Sequence, residues 1–185
     1  QKAEQVTHVD NDNVQAGKDA TNYLITHGHE RIAFVGGNPQ YLVTIDRQNG
    51  YAAALQEARL PYREEYVIHE EFLQEGGQEA MKELLSLAEP PTGLVVADDL
   101  MALGMLKTLD EIGLGVPKDV SIISFNNTLL AEMSLPPLTS VDIGIFQLGY
   151  EAARSLIEKI TNPNEPIKRI IIPHRLVERG SCARR

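Results

Sequence analysis

The feature that most constrains this chain is a rhythm. From residue 6 to residue 125, short apolar runs of strand length alternate with amphipathic stretches of helical length. Val6-Thr7-His8-Val9 reads as a strand. Asp12 or Asn13 then caps a helix whose Val14, Gly17, Ala20, Tyr23 and Leu24 share one face up to the stop at Gly28. Ile32-Ala33-Phe34-Val35 ends in Gly36-Gly37 and is apolar throughout, the pattern of a parallel strand covered on both faces. A helix with Tyr51, Ala54, Leu55 and Ala58 gives out before Pro61, and Tyr66-Val67-Ile68 is a strand. The spacing predicts a helix from Glu75 to Leu87, a buried strand from Gly93 to Ala97, and a helix through Ala102, Met105, Leu106 and Leu109 that stops at Gly113. Val120 to Phe125 closes the series. Helices of this length cross over a parallel sheet and cover both its faces, so the expected fold class is α/β, with an open, mostly parallel, doubly wound sheet.

Beyond Phe125 the rhythm changes. Leu135-Pro136-Pro137-Leu138 is stiff and non-helical, because each proline fixes its own φ and disfavours helix in the residue before it. A strand from Thr139 to Val141 precedes an amphipathic helix with Ile145, Leu148, Ala152, Leu156 and Ile160 on one stripe. Strands at Ile167 to Ile172 and Arg175 to Val177 end the pattern. The Pro-Pro passage reads as a crossing from one lobe to another, with a hinge at residues 135–142.

Composition narrows the function classes. A chain of 185 residues, 43% hydrophobic and 23% charged, has globular proportions, which excludes wholesale disorder. No apolar run is long enough to span a bilayer, so no membrane role is expected. Seventeen Lys and Arg against 26 Asp and Glu leave a net charge of −9. That sign repels phosphate backbones, so contact with DNA would fall to another segment. The single cysteine, Cys182, excludes a disulfide framework and fits a reducing compartment. Gln1-Lys2-Ala3-Glu4-Gln5 is a polar lead-in without a signal-peptide pattern, as in a fragment or the ordered part of something longer.

Ligands of open α/β sheets sit beyond the carboxyl ends of the strands. The polar residues to weigh are therefore Asp10, Asn38, Asp98-Asp99 and Asn126-Asn127-Thr128. Asp98-Asp99 suggests acid–base or cation chemistry, but adjacent side chains leaving a strand diverge. Asp99 is placed to cap the next helix, and Asp98 to face a cleft and accept hydrogen bonds from hydroxyls. Asn126-Asn127-Thr128 either meets a neutral hydroxylated ligand or satisfies its own turn. Arg47 offers a rigid fork of donors for hydroxyls, or is a surface charge at a helix start. Phe72 is a ring for a sugar face, or core.

Other chemistry lacks its motifs. No phosphate-binding G-x-x-x-x-G-K-[ST] loop and no G-x-S-x-G elbow is present, and His8, His27, His29, His69 and His174 lack metal-ligand spacing. Cys182 has no evident base beside it. No catalytic residue, metal or cofactor is expected.

Taken together, several segments resemble the LacI/GalR family of bacterial transcription regulators: Gly28-His29-Glu30-Arg31-Ile32-Ala33-Phe34-Val35-Gly36-Gly37, Arg47-Gln48-Asn49-Gly50-Tyr51, Asp98-Asp99-Leu100-Met101-Ala102-Leu103-Gly104, Gly113 to Ile122, Pro136 to Val141, and Leu176 to Cys182. The resemblance implies a periplasmic-binding-protein-like core with its C-terminal lobe complete and its N-terminal lobe partial. Residues 1–10 would lead in from the N-terminal lobe, 11–134 form the C-terminal lobe, 143–169 return to the N-terminal lobe, and 170–185 supply the final strands and tail. It also implies a cytoplasmic homodimer that senses a saccharide and reaches operator DNA through an N-terminal helix-turn-helix headpiece missing here.

Carried over by position, Arg47, Phe72, Asp98, Asn126 and Ile145 are the implied effector-binding residues. Asp98 stands where many members have Asn, and Asn126 where sugar-binding members often carry Asp. Phe125-Asn126-Asn127-Thr128 is similar to maltose-operon regulators, which favours maltose or another glucoside over a purine. Met81, Leu85, Met101 and Met105 are the expected dimer face, the alternative for each being core packing. The rival classes are a periplasmic sugar-binding transport protein and a small α/β carbohydrate-active enzyme built on Asp98.

Overall fold

The computed structural model describes residues 6–185; the polar lead-in Gln1 to Gln5 lies outside the described residues. The elements run β1 (His8–Asn11), α1 (Asn13–Thr26), β2 (Ile32–Gly36), α2 (Leu42–Glu57), β3 (Val67–His69), α3 (Gln74–Ser86), β4 (Gly93–Val96), α4 (Asp99–Glu111), β5 (Ser121–Phe125), α5 (Leu129–Met133), β6 (Thr139–Asp142), α6 (Ile145–Thr161), β7 (Arg169–Ile172) and β8 (Arg175–Val177). They build two sheets. The larger has the order β3-β2-β4-β5-β6-β8, parallel except for β8 against β6. The smaller pairs β1 with β7 in parallel, and α6 rests on it.

Strand periodicity sorts the core. Ala33, Val35, Leu94, Val96 and Ile122 point to one face, where α3 and α4 cover them. Ile32, Phe34, Val95, Ile123 and Phe125 point to the other, against α1 and α2. Each helix pair crosses on glycine. A Cβ on Gly17 would collide with the Arg47 carbonyl, and one on Gly50 with the Val14 carbonyl. Gly77 and Gly104 play the same part between α3 and α4, against Met101 and Gln74. The backbones approach this closely only because the side chain is missing.

Two expectations are corrected here. Met81, Met101 and Met105 are fully buried within the α3–α4 core, and Leu85 packs against it, so they form no exposed dimer face. In α3 the single apolar stripe of Ala80, Met81 and Leu84 is spent on the core, and α4 is buried around most of its circumference, so the methionines are enclosed. The lobe crossing expected at 135–142 is also displaced. Ser134 to Leu138 is tied back onto α5 by Leu138 N donating to Ala131 O at 2.8 Å. Thr139–Asp142 is then a strand of the larger sheet, bonded to β5. The chain leaves that sheet at residues 143–144, so the prolines stiffen an approach to β6. The apolar stripe of α6 is largely exposed: Ile145, Leu156 and Ile160 face outward, as does the adjacent Ile157, and Ser155 is the one buried residue of this helix.

Candidate functional site

The carboxyl ends of β4 and β5 lie side by side, which brings the residues that follow them together. Asn126 Nδ2 donates to Asp98 Oδ2 at 2.7 Å, and Asp98 Oδ1 accepts from Leu100 N at 2.7 Å. Asp98, not Asp99, therefore caps α4. Its extended backbone, φ −155°, lets the carboxylate fold back onto the first free amides. Asp99, one residue into the helix, points inward and is 1% exposed. It accepts from Ser124 Oγ, Ser140 Oγ, Thr128 N and Thr128 Oγ1 at 2.6–2.9 Å. One carboxylate thus clamps β5, β6 and the turn carrying Asn126. With both its oxygens engaged, Asp99 is not free to act as a second catalytic acid.

Arg47 enters from α2 and is 4% exposed. Its Nε donates to Asn13 Oδ1 at 3.1 Å, its Nη1 donates to Ala97 O at 2.8 Å, and its guanidinium carbon lies 4.1 Å from the Phe125 ring centroid. Burial pulls it down to about 10, while Asp98, Asp10 and Asp99 work to keep it charged. It is protonated at neutral pH. Nη2 has no hydrogen-bond partner among the described residues. Burial, with Asp99 alongside, pushes the Asp98 carboxyl up, against the Leu100 amide and the Asn126 donor, which favour the anion.

Asn126 and Asn127 are left-handed, with φ +97° and +49°, a conformation asparagine tolerates better than most residues. Asn126 N donates to Val141 O, Asn127 N to Ser140 Oγ, and Arg179 Nη2 to Asn127 Oδ1. With its amide hydrogens turned to Asp98, Asn126 presents a carbonyl oxygen. Phe72 stacks on Tyr41 with ring centroids 6.4 Å apart and planes 8° apart, and its ring lies where a Cβ on Gly37 would sit. This is an aromatic wall at the end of β2. Ile145, the first residue of α6, is 50% exposed and opens the helix that rests on the smaller sheet, whereas the other four belong to elements of the larger one.

Three contributors were missed in the sequence. Asn13 joins Arg47 to Asp10, whose Oδ1 accepts from Asn13 Nδ2 at 3.1 Å; its place just past a strand end was a usable signal. Asp46, pushed up by burial and by Asp10 and Asp12, and Tyr41 carried none. No group of three or more His, Cys, Asp or Glu side chains among the described residues is arranged to hold a metal, and no helix is long and apolar enough to cross a membrane.

Parallel strands whose carboxyl ends gather a buried arginine, a carboxylate and an amide, with an aromatic wall at the end of neighbouring β2, have the architecture of a periplasmic-binding-protein-type core. Residues 21–182 match the periplasmic binding protein-like domain, and the chain belongs to that family in the form carried by LacI-family transcriptional regulators. The regulator CelR of Thermobifida fusca is 37% identical over 175 residues, which are 94% of this chain and 52% of CelR. A solved CelR–cellobiose complex superposes with a TM-score of 0.92 at 36% identity, over 96% of this chain and 54% of that one. A candidate LacI regulator from Bacillus cereus subsp. cytotoxis gives a TM-score of 0.96 at 48% identity, over 98% and 64%. The chain spans about half the length of the curated relatives it matches.

Proposed function

We propose that this chain is the effector-sensing core of a sugar-responsive transcriptional repressor, and that Arg47, Phe72, Asp98 and Asn126 hold a neutral saccharide, with Ile145 at the opposite edge of the cleft. The observation that carries the reading is the donor and acceptor inventory at one place, Nη2 of Arg47 to give and Asp98 and the Asn126 carbonyl to accept, with the Phe72 ring packed on Gly37 at the end of the neighbouring strand β2. Sugar hydroxyls both donate and accept, and a pyranose face is apolar enough to lie on a ring. The cellobiose held by CelR supports the saccharide class, and maltose or another glucoside is the preferred member. Bound ligand would act by linkage, favouring the arrangement of the two sheets that it binds better and so changing how paired DNA-binding headpieces meet the operator.

Calorimetric titration tests the ligand class. Maltose or cellobiose is expected to bind, and glucose 6-phosphate to bind at least about tenfold more weakly, because Asp98, Asp10 and Asp46 repel a phosphate. Binding of the phosphosugar or of a purine, with no neutral sugar bound, would overturn the reading.

For self-association, the support moves to α5, which packs beside α4. Leu129, Met133 and Leu135 are 67%, 71% and 89% exposed and lie together on α5 and the turn after it, an apolar patch of the kind a second copy covers. Sedimentation of Met133→Asp and Leu135→Glu is expected to show a monomer where the parent chain is a dimer. A dimer that survives both changes refutes this face.

A further inference from the structure

The chain passes between the two sheets at three places: from β1 into α1, from β6 into α6 at residues 143–144, and from β7 into β8 at residues 173–174. One buried side chain touches all three. Asn11, the last residue of β1, donates through Nδ2 to Ile143 O at 2.9 Å and to Ile172 O at 2.8 Å. Both hydrogens of a single amide nitrogen are thus spent on the other two crossings. We propose that Asn11 is the pivot about which the two sheets turn, and that it is a positioning residue for the ligand site.

The chemistry of the position is narrow. A neutral amide supplies two diverging N–H groups without burying a charge. Aspartate of the same shape supplies none at neutral pH, and serine supplies one. Carbonyls left without a donor in a buried place are costly, so the three segments stay together while the amide remains. The bonds radiate from one nitrogen, so the crossings can rotate about it more easily than they can separate. The link onward to the site is also continuous. Asn11 N donates to Asp10 Oδ1 at 2.8 Å, the same oxygen accepts from Asn13, and Asn13 receives Arg47 Nε. A change of angle at Asn11 therefore reaches the arginine that faces the ligand.

The effect on ligand binding rests on the saccharide-clamp reading; the pivot itself does not. The test uses spin labels at the exposed Lys107 and Lys159, on α4 and α6, each changed to cysteine in the complete chain with Cys182→Ser. Asn11→Asp and Asn11→Ser are expected to broaden the label-to-label distance distribution about twofold, Asp more than Ser, while amide exchange in β4 and β5 stays slow. An unchanged distribution overturns the proposal. So does loss of β4 and β5 protection in both variants, which would make Asn11 an ordinary core residue. Titration with maltose then separates the two ideas. About tenfold weaker binding in Asn11→Ser supports the coupling, whereas broadening in a chain whose parent binds no saccharide supports the pivot and overturns only the clamp.

Discussion

Arg47→Ala is expected to lower stability by about 2–4 kcal/mol and to weaken the best saccharide roughly 10- to 100-fold. The stability loss comes from inside the protein. Asn13 Oδ1 and Ala97 O lose charge-assisted donors at a position that water barely reaches, and Asp98, Asp10 and Asp99 lose the cation that offsets them. For a domain of this size that is a fall in melting temperature of roughly 5–15 °C. The affinity loss has a separate origin, Nη2 and its contact with a hydroxyl. Arg47→Lys divides the two. Lysine keeps the positive charge but not the fork, and one ammonium cannot serve Asn13, Ala97 and a ligand in those directions. It is expected to recover part of the melting temperature and little of the affinity, as thermal unfolding and calorimetry on the same samples would show. Unchanged saccharide affinity in Arg47→Ala would remove Arg47 from the site.

The pair Asp98 and Asn126 should respond as a unit. Asn126→Asp sets two carboxylates where a 2.7 Å hydrogen bond stood, so one must take up a proton or both must separate. Asp98→Asn keeps the cap through Oδ1 but turns an NH2 toward the NH2 of Asn126. The Asn126 amide must then flip, showing the ligand a donor in place of an acceptor. Each single change is expected to reduce affinity about 10-fold or more. The double exchange, Asp98→Asn with Asn126→Asp, restores a donor opposite an acceptor. Aspartate also tolerates the left-handed backbone at 126. A coupling energy of about 1–3 kcal/mol between the two changes is expected in denaturant unfolding. Strictly additive effects would mean that the two side chains do not act together.

Much of this architecture was legible in the residues. Ile32 to Gly36, Gly93 to Val96 and Ser121 to Phe125 are strands where unbroken apolar runs predict them, and Asp12 caps α1, accepting from Gln15 N. Those are local matters. A period of two or of 3.6 residues, a cap or a helix stop is decided within a few positions along the chain. The family resemblance likewise singled out Arg47, Asp98 and Asn126, and these three do gather at the ends of β4 and β5.

What only the tertiary structure decided is which way equivalent-looking residues turn. Asp98 and Asp99 are identical neighbours, yet one caps a helix and meets Asn126 while the other is locked inward by two serines and a threonine from β5, β6 and the turn between them. Met81, Met101 and Met105 have a composition suited to an interface but face the sheet, because α3 and α4 close on glycine and leave no room for the opposite rotation. The prolines at 136 and 137 announce stiffness without saying what they lead into. In each case the deciding contact joins segments tens of residues apart. Burial and hydrogen bonding are settled by the partner that arrives across the fold, and local spacing carries no record of it.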